Sequence, residues 1–179
     1  MRWRSLVICL AALTVGCSAQ PPDLLPAPTT MWSAPPSTST RGNLVKQVGQ
    51  RAGMEAPDGK VLFFFAIDKI TIDPPCADDP AHGHRVALAI TLRTTDDFSP
   101  EEWEVPITSG DFEVTAPDGS TETEVVEVGP CLRPEQYLTR DRYARGTEYR
   151  GLIVLDTKHT NGFIVFRSNL AEGGVEWSF

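Results

Sequence analysis

Apolar and polar residues alternate along several segments of this chain, and that pattern constrains the fold more than any other feature. In RVALAITLR (85–93), branched apolar residues occupy every second position. The segments DFEVTA (111–116) and VEWSF (175–179) alternate in the same way. A period of two is typical of a β-strand with one buried face. We therefore expect strands at these places, and no segment has a convincing helical period.

Two more segments are rich in β-formers, and turn signals separate all of these runs. VLFFFAIDKITI (61–72) and GLIVLDT (151–157) are nearly continuous, as central strands are. The turn signals are Pro57-Asp58-Gly59, Pro117-Asp118-Gly119, Asn161-Gly162 and Gly173-Gly174. Asn161-Gly162 predicts a hairpin, and residues 133–146 have room for one short helical turn at most. Many short strands with repeated turns predict an all-β, antiparallel sandwich.

The amino terminus has the organisation of an export signal. Arg2 and Arg4 precede an uncharged run from Ser5 to Gly16, which is too short to span a bilayer but fits a signal-peptide core. Small residues then lead to Cys17, an order that resembles the lipobox of bacterial lipoproteins. We therefore expect residues 1–16 to be a lipoprotein signal peptide and Cys17 to be lipidated. The alternatives are an ordinary secretory signal and an uncleaved anchor.

Residues 17–43 follow as a proline-rich stretch, and residues 44–179 have the length of one domain. Six prolines lie between residues 21 and 36, with serine and threonine between them, so a disordered, extended linker is expected. The chain carries a net charge of −8, and loss of Arg2 and Arg4 would make it −10. Such a charge argues against nucleic acid as a partner.

Two cysteines remain in the expected domain, Cys76 and Cys131. Each follows a proline in a loop-like stretch. An even number of cysteines in an exported chain predicts a disulfide, and with two candidates the pairing Cys76–Cys131 is the one available.

The most polar cluster is DPPCADDPAHGHR (73–85). It contains Asp78, Asp79, His82 and His84, and these side-chain types together suit Zn²⁺ or Cu²⁺. A metal site is therefore one interpretation of the loop. The other is a solvated loop in which aspartate and histidine favour turns.

Two further charged groups are possible binding sites. The first is acidic: Asp96, Asp97, Glu101, Glu102 and Glu104. It contains oxygen ligands for Ca²⁺ but matches no EF-hand spacing, so a solvated loop is expected. The second is basic: Arg133, Arg140, Arg142, Arg145 and Arg150. It suits an anionic glycan, a phosphate or an acidic partner, although pairing with the domain's own carboxylates is the simpler expectation.

No catalytic motif occurs in the chain. It lacks a G-x-S-x-G nucleophile elbow, an H-E-x-x-H zinc motif and a glycine-rich phosphate loop. His159 lies where a turn is expected, and it is interpreted as a surface residue. No cofactor is expected, and an unrecognised hydrolase is the weakest of the functional hypotheses.

The order of segments resembles a known family. VKQVGQRAG leads into DGKVLFFFAIDKI, followed by a long alternating strand, the DFEVTAPDG corner, a second cysteine and GGVEWSF. This arrangement is similar to the immunoglobulin-like domains of unknown function in bacterial lipoproteins and exported proteins, among them the mycobacterial immunoprotective extracellular protein. The resemblance implies an immunoglobulin-like β-sandwich over about residues 44–179, no established enzyme activity and no site residues. The mycobacterial protein is secreted freely, whereas Cys17 predicts an anchor here.

These observations lead to two main expectations of function. The first is a lipid-anchored binding or adaptor module on the extracytoplasmic face of the cell membrane, with an envelope protein or glycan as partner and no catalytic activity. The second is a metal-binding envelope lipoprotein that uses the loop of residues 78–84.

Overall fold

The structure is a computed structural model that describes residues 37–76, 83–101, 107–122, 133–138, 142–168 and 173–179. The chain divides into two units, Met1–Ser33 and Ala34–Phe179. All described residues belong to the second unit. Among them no helix has the length and apolar composition needed to cross a bilayer.

The described residues of the second unit form two β-sheets and two single-turn 3₁₀ helices, Ser109–Asp111 and Pro134–Gln136. The four-stranded sheet contains β3 (Arg51–Glu55), β4 (Val61–Ile72), β5 (His84–Thr94) and β8 (Glu148–Thr157), in the order β3-β4-β5-β8. The six-stranded sheet contains β1 (Ser37–Thr38), β2 (Leu44–Val45), β6 (Phe112–Thr115), β7 (Thr121–Glu122), β9 (Phe163–Arg167) and β10 (Gly174–Ser178), in the order β1-β2-β10-β9-β6-β7. All strand pairs are antiparallel except β2 with β10.

The core lies between the two sheets and is rich in aromatic rings. Phe65 of β4 packs against Phe166 of β9 with ring centroids 4.8 Å apart, and against Trp177 of β10 at 5.8 Å. On β5 the inward positions, from Val86 to Leu92, are almost completely buried. Inward side chains of both sheets interdigitate in this way in an aligned sandwich. The predicted antiparallel, immunoglobulin-like β-sandwich is confirmed.

The strand predictions hold, but the hairpin prediction at Asn161-Gly162 is wrong. β8 belongs to the four-stranded sheet and β9 to the six-stranded sheet, so this turn connects the two layers. Gly162 instead exchanges two backbone hydrogen bonds with Phe179, at 3.1 and 3.0 Å. The dipeptide favours a tight turn, but the long-range pairing of β9 with β6 and β10 decides which sheet the next strand joins.

The same four residues, Ala-Pro-Asp-Gly, build two hairpins, one in each sheet. They connect β3 to β4 at residues 56–59 and β6 to β7 at residues 116–119. In each turn the glycine has a positive φ, +83° at Gly59 and +90° at Gly119, and its N–H donates to the alanine carbonyl at 2.9 Å. Hairpin turns of this length favour glycine at the left-handed position.

The β1–β2 hairpin is attached to β10 through a partly buried charge cluster. Arg41, between β1 and β2, donates two hydrogen bonds to the carboxylate of Glu176, at 2.7 and 3.1 Å. Asn43 Nδ2 donates a third, at 2.9 Å. The Arg41 guanidinium carbon also lies 3.8 Å from the ring centroid of Phe163. Residues 37–43, which the sequence places in the linker, are thereby held on the sandwich.

The environment of Glu176 determines the direction of its pKa shift. Burial raises the pKa of this carboxyl, but the hydrogen bonds from Arg41 and Asn43 and the charge of Arg41 lower it further than burial raises it. The net pKa is below the ordinary value, so the carboxylate is the stable form in the folded protein.

Candidate functional site

The outer face of the four-stranded sheet carries two rows of side chains that cross all four strands. The first row is Arg51, Ala66, Thr91 and Arg150, one residue from each strand. The second row is Gly53, Phe64, Arg93 and Glu148, each two residues from the first-row residue on its strand. Residues paired in register lie side by side on one face, so these rows form one continuous surface.

Phe64 is an aromatic ring on the outside of the sandwich, with 38% of its surface exposed. Its neighbour on β3 is Gly53, which has no side chain. A Cβ at Gly53 would lie only 3.2 and 3.3 Å from two ring carbons of Phe64. The ring therefore lies against the backbone of β3, and its position depends on the glycine.

An irregularity in β4 adds a carboxylate to this surface. The register between β4 and β5 shifts between Ile67 and Lys69, which leaves Asp68 at a β-bulge. The Asp68 Oδ2 atom accepts a hydrogen bond of 2.6 Å from the hydroxyl of Thr91. A β-bulge commonly redirects the side chain at which it occurs. Here the hydrogen bond to Asp68, at the bulge, fixes the orientation of the Thr91 side chain.

Together these residues border a shallow cleft of about 250 Å³, which we term the arginine cleft. Its aromatic members are Phe64 and Phe65, and its polar members are Arg51, Asp68, Thr91, Arg93, Glu148 and Arg150.

The three arginines of the cleft differ in their partners. Arg150 is paired with Glu148, with Nη2 and Oε1 2.9 Å apart. Within the described ranges, Arg51 and Arg93 have no side-chain hydrogen bond or ion pair. Each guanidinium has five donors and suits a carboxylate or phosphate. The cleft thus holds two available cationic donors in a chain whose net charge is −8.

The predicted metal ligands lie only partly in the described residues. His84 begins β5, and its Nδ1 atom lies 3.0 Å from Oδ2 of Asp73, a residue just after β4. Asp78, Asp79 and His82 are outside the described residues. The part of the chain that the structure describes contains no group of three or more histidine, cysteine or acidic residues placed to hold a metal ion. Metal binding by this loop stays a prediction.

The predicted lipidation and disulfide sites also depend on residues that are not described. Cys76 is half-buried, shortly after the end of β4. Cys17 and Cys131 are both outside the described residues. The lipid anchor and the Cys76–Cys131 pairing stay predictions.

The acidic cluster is described at Asp96, Asp97 and Glu101 but not at Glu102 and Glu104. Glu101 accepts a hydrogen bond from the hydroxyl of Ser99, at 3.0 Å. Its backbone N–H and this hydroxyl lower the pKa of Glu101, which is exposed. These contacts are local to a turn. They do not assemble the described acidic residues into a set of Ca²⁺ ligands.

The four described arginines of the basic run are all exposed, and two of them are paired with carboxylates. Arg133 lies 3.5 Å from Glu135, and Arg150 is paired with Glu148, as internal pairing predicts. Arg142 and Arg145 are exposed, and Arg140 is outside the described residues. Of the five arginines, Arg150 is the one that lines the cleft.

Sequence reasoning missed Arg51, Phe64 and Arg93 as members of a site. They come from three strands and share no local motif. The available signal was weak: an uninterrupted Phe63-Phe64-Phe65 run places at least one ring on each face of the strand.

The fold and this surface define a β-sandwich protein with an open polar cleft on one sheet. No protein-family model matches the chain, and no curated protein is significantly similar to it. A solved structure does match: the secreted protein MPT63 from Mycobacterium tuberculosis, with a TM-score of 0.52 and 12% sequence identity. The match covers 76% of this chain and 98% of MPT63. At this identity the likeness shows a shared fold.

Proposed function

We propose that this protein is a lipid-anchored binding or adaptor module of the cell envelope, which holds a ligand in the arginine cleft without catalysing a reaction. The observation that supports this best is the pair Arg51 and Arg93. Both are exposed, both border the cleft, and neither has a partner among the described residues. Positively charged groups without internal partners are available to an external anion.

Phe64 adds an apolar contact to these charges. A large ring exposed beside arginines is a common composition for a recognition surface, in which aromatic and arginine side chains supply most of the binding energy. The described lining of the cleft contains no histidine, cysteine or serine. Its groups hydrogen-bond and bind charge, which fits a binding role.

The proposed location rests on the amino-terminal sequence. A charged start, a short apolar run and small residues before Cys17 favour export and lipidation. Two or more acyl chains give stable membrane attachment, and the proline-rich linker would hold the sandwich away from the lipid. MPT63, which shares the fold, is named as a secreted protein. The cleft would then face the envelope.

The proposal is tested by co-sedimentation of the full chain, carrying Cys17→Ser to prevent lipidation, with isolated cell envelopes. We expect saturable binding, weakened at least about tenfold in an Arg51→Gln, Arg93→Gln variant, because charged hydrogen bonds contribute roughly this much. The control variant, Arg133→Gln with Arg142→Gln, removes the same charge elsewhere and should bind like wild type. Equal binding by both variants, or no saturable binding by wild type, would contradict the proposal.

A further inference from the structure

The arginine cleft combines three kinds of chemical group, and the combination restricts its ligand. Arg51 and Arg93 offer donors to an anion. Asp68 and Glu148 are acceptors and repel an anion at close range, but they accept hydrogen bonds from hydroxyls. Phe64 offers the face of a ring, whose weakly negative charge attracts C–H groups. A ligand that satisfies all three has a carboxylate, several hydroxyls and an apolar face.

We propose that the ligand is a carboxylate-bearing sugar within an acidic envelope glycan, an inference that rests on the proposed binding function. One sugar ring lies on Phe64, its carboxylate meets Arg93 or Arg51, and its hydroxyls donate to Asp68 or Glu148. Thr91 is held by its hydrogen bond to Asp68, so its oxygen remains available as an acceptor. A phosphate group, in a lipid or as the inorganic ion, lacks the apolar face that would lie on Phe64.

The shape of the cleft favours a polymer over a single sugar. Arg51 and Arg150 lie at opposite ends of one row, on β3 and β8. Three inter-strand spacings of about 4.8 Å separate them by roughly 14 Å. The cleft is open at the surface, so a chain of sugars can cross the strands and present successive carboxylates to separate arginines.

The position of the cleft argues against an acidic peptide. An extended peptide gains affinity by pairing its backbone with the free edge of a sheet. The cleft lies over the sheet face, above the central strands β4 and β5, whose backbone groups are paired with their neighbours. A peptide there would leave its own backbone groups unpaired, whereas sugar hydroxyls can turn toward the acceptors.

Isothermal titration of the full chain, carrying Cys17→Ser, with oligogalacturonate tests the proposal. We expect binding by wild type, and at least about tenfold weaker binding by the double variant Arg51→Gln, Arg93→Gln, because each substitution removes charge-assisted hydrogen bonds.

Phe64→Ala should weaken binding without changing its salt dependence, since it removes no charge. Arg93→Lys should also weaken it, because lysine cannot make the two-point contact. Arg133→Gln with Arg142→Gln should leave it unchanged.

Three other titrations show whether the carboxylate, the sugar or the charge alone is recognised. The methyl ester of the same oligomer and inorganic phosphate should bind at least about tenfold more weakly, since each loses one class of contact. Oligoglutamate of equal charge should bind weakly and be indifferent to Phe64→Ala. Equal affinity for the ester or for oligoglutamate would overturn the proposal. Envelope binding without oligogalacturonate binding would overturn this inference alone, whereas loss of both would overturn the proposed function as well.

Discussion

Glu176 shows how one residue holds a distant part of the chain, the β1–β2 hairpin, on the sandwich. Its side chain is almost fully buried, at 2% exposure, and its partners Arg41 and Asn43 lie far away in sequence. A buried charge is tolerated when it is paired and hydrogen-bonded, and removing one partner is costly. The cluster therefore holds the β1–β2 hairpin more firmly than two strands of two residues could hold it by themselves.

Protonation of Glu176 should release part of this stabilisation. Its folded-state pKa is lowered, so the contribution is complete above the unfolded-state value of about 4.3 and is lost as the pH falls through the lower folded value. We expect Glu176→Gln to lower the free energy of unfolding by about 2 kcal/mol at pH 7 and by less at about pH 3. Urea denaturation at both values measures this.

The control for that experiment is Glu55→Gln, which changes an exposed carboxylate on β3. Glu55→Gln should change the free energy of unfolding little at either pH. A Glu176→Gln deficit of the same size at pH 7 and pH 3 would show that the charge of the cluster contributes nothing.

At the scale of elements, β8 is an edge strand of the four-stranded sheet, and the segment that contains Tyr137 and Leu138 partly covers it. Tyr137 forms a parallel bridge with Leu152, and the N–H of Leu138 donates to the Leu152 carbonyl at 3.0 Å. The hydroxyl of Tyr143 donates to the carbonyl of Leu138 at 2.9 Å and is buried. Covering an edge strand in this way blocks pairing with another chain.

This crossing depends on Gly151. A Cβ at Gly151 would lie 2.4 Å from the backbone of Leu138, a distance that no side-chain movement can relieve. We expect Gly151→Ala to reduce the free energy of unfolding by about 2–3 kcal/mol or more, as overpacking does. Gly110→Ala is the matched control, since its nearest contact would be 3.5 Å away. Thermal unfolding of both variants measures the difference. A Gly151→Ala variant as stable as the Gly110→Ala control would contradict the close crossing.

The strands were predictable from sequence because their signal is local. The inward positions of β5 follow directly from the alternation in residues 85–93, whereas Arg85 and Ala87, which the alternation places on the other face, are also buried. The sequence around Asn161-Gly162 does not predict which sheet β9 joins, because that depends on the pairing of β9 with β6 and β10. The hairpin of residues 37–43 was missed for the same reason, since its partner Glu176 is near the other end of the chain.

The candidate site was less predictable than the fold. Arg51, Phe64 and Arg93 become neighbours only through the register of three strands, and no spacing along the chain relates them. The bulge at Asp68 shifts the register of β4 as well, so alternation alone misplaces the residues beyond it. Arg150 was noticed as part of a basic run, but its position on the cleft follows from β8 pairing with β5.

For the whole molecule, charge and anchoring are the properties that matter to the proposed role. The chain is acidic overall, yet the arginine cleft gathers three of its cations on one face. Under the proposed function, the acidic surface would repel most anionic surfaces, and the cleft would offer a place for an anion to bind. The proposed lipid anchor would add a high local concentration of the module near its ligand.

The anchor is tested at Cys17. Cys17→Ser should abolish incorporation of a palmitate analogue and move the protein out of the membrane fraction, because the thioether cannot form. Cys9→Ser is the matched control, since Cys9 lies within the expected signal peptide and should not affect labelling. Labelling and fractionation of both variants in a bacterial host measure the effect. Lipid labelling that persists in Cys17→Ser would mean that another residue carries the lipid.

The pairing of β2 with β10 joins the first part of the sandwich to the last. Leu44 lies opposite Val175, so the place of β2 in the sheet exists only after the final strand has been synthesised. Such distant contacts form late in folding. A chain that stops before Gly174 lacks both the strand and the carboxylate that hold residues 37–45, and a two-strand hairpin of this size is unstable alone. Proteases should therefore cut residues 37–45 faster in a copy truncated before Gly174 than in a copy that contains β10.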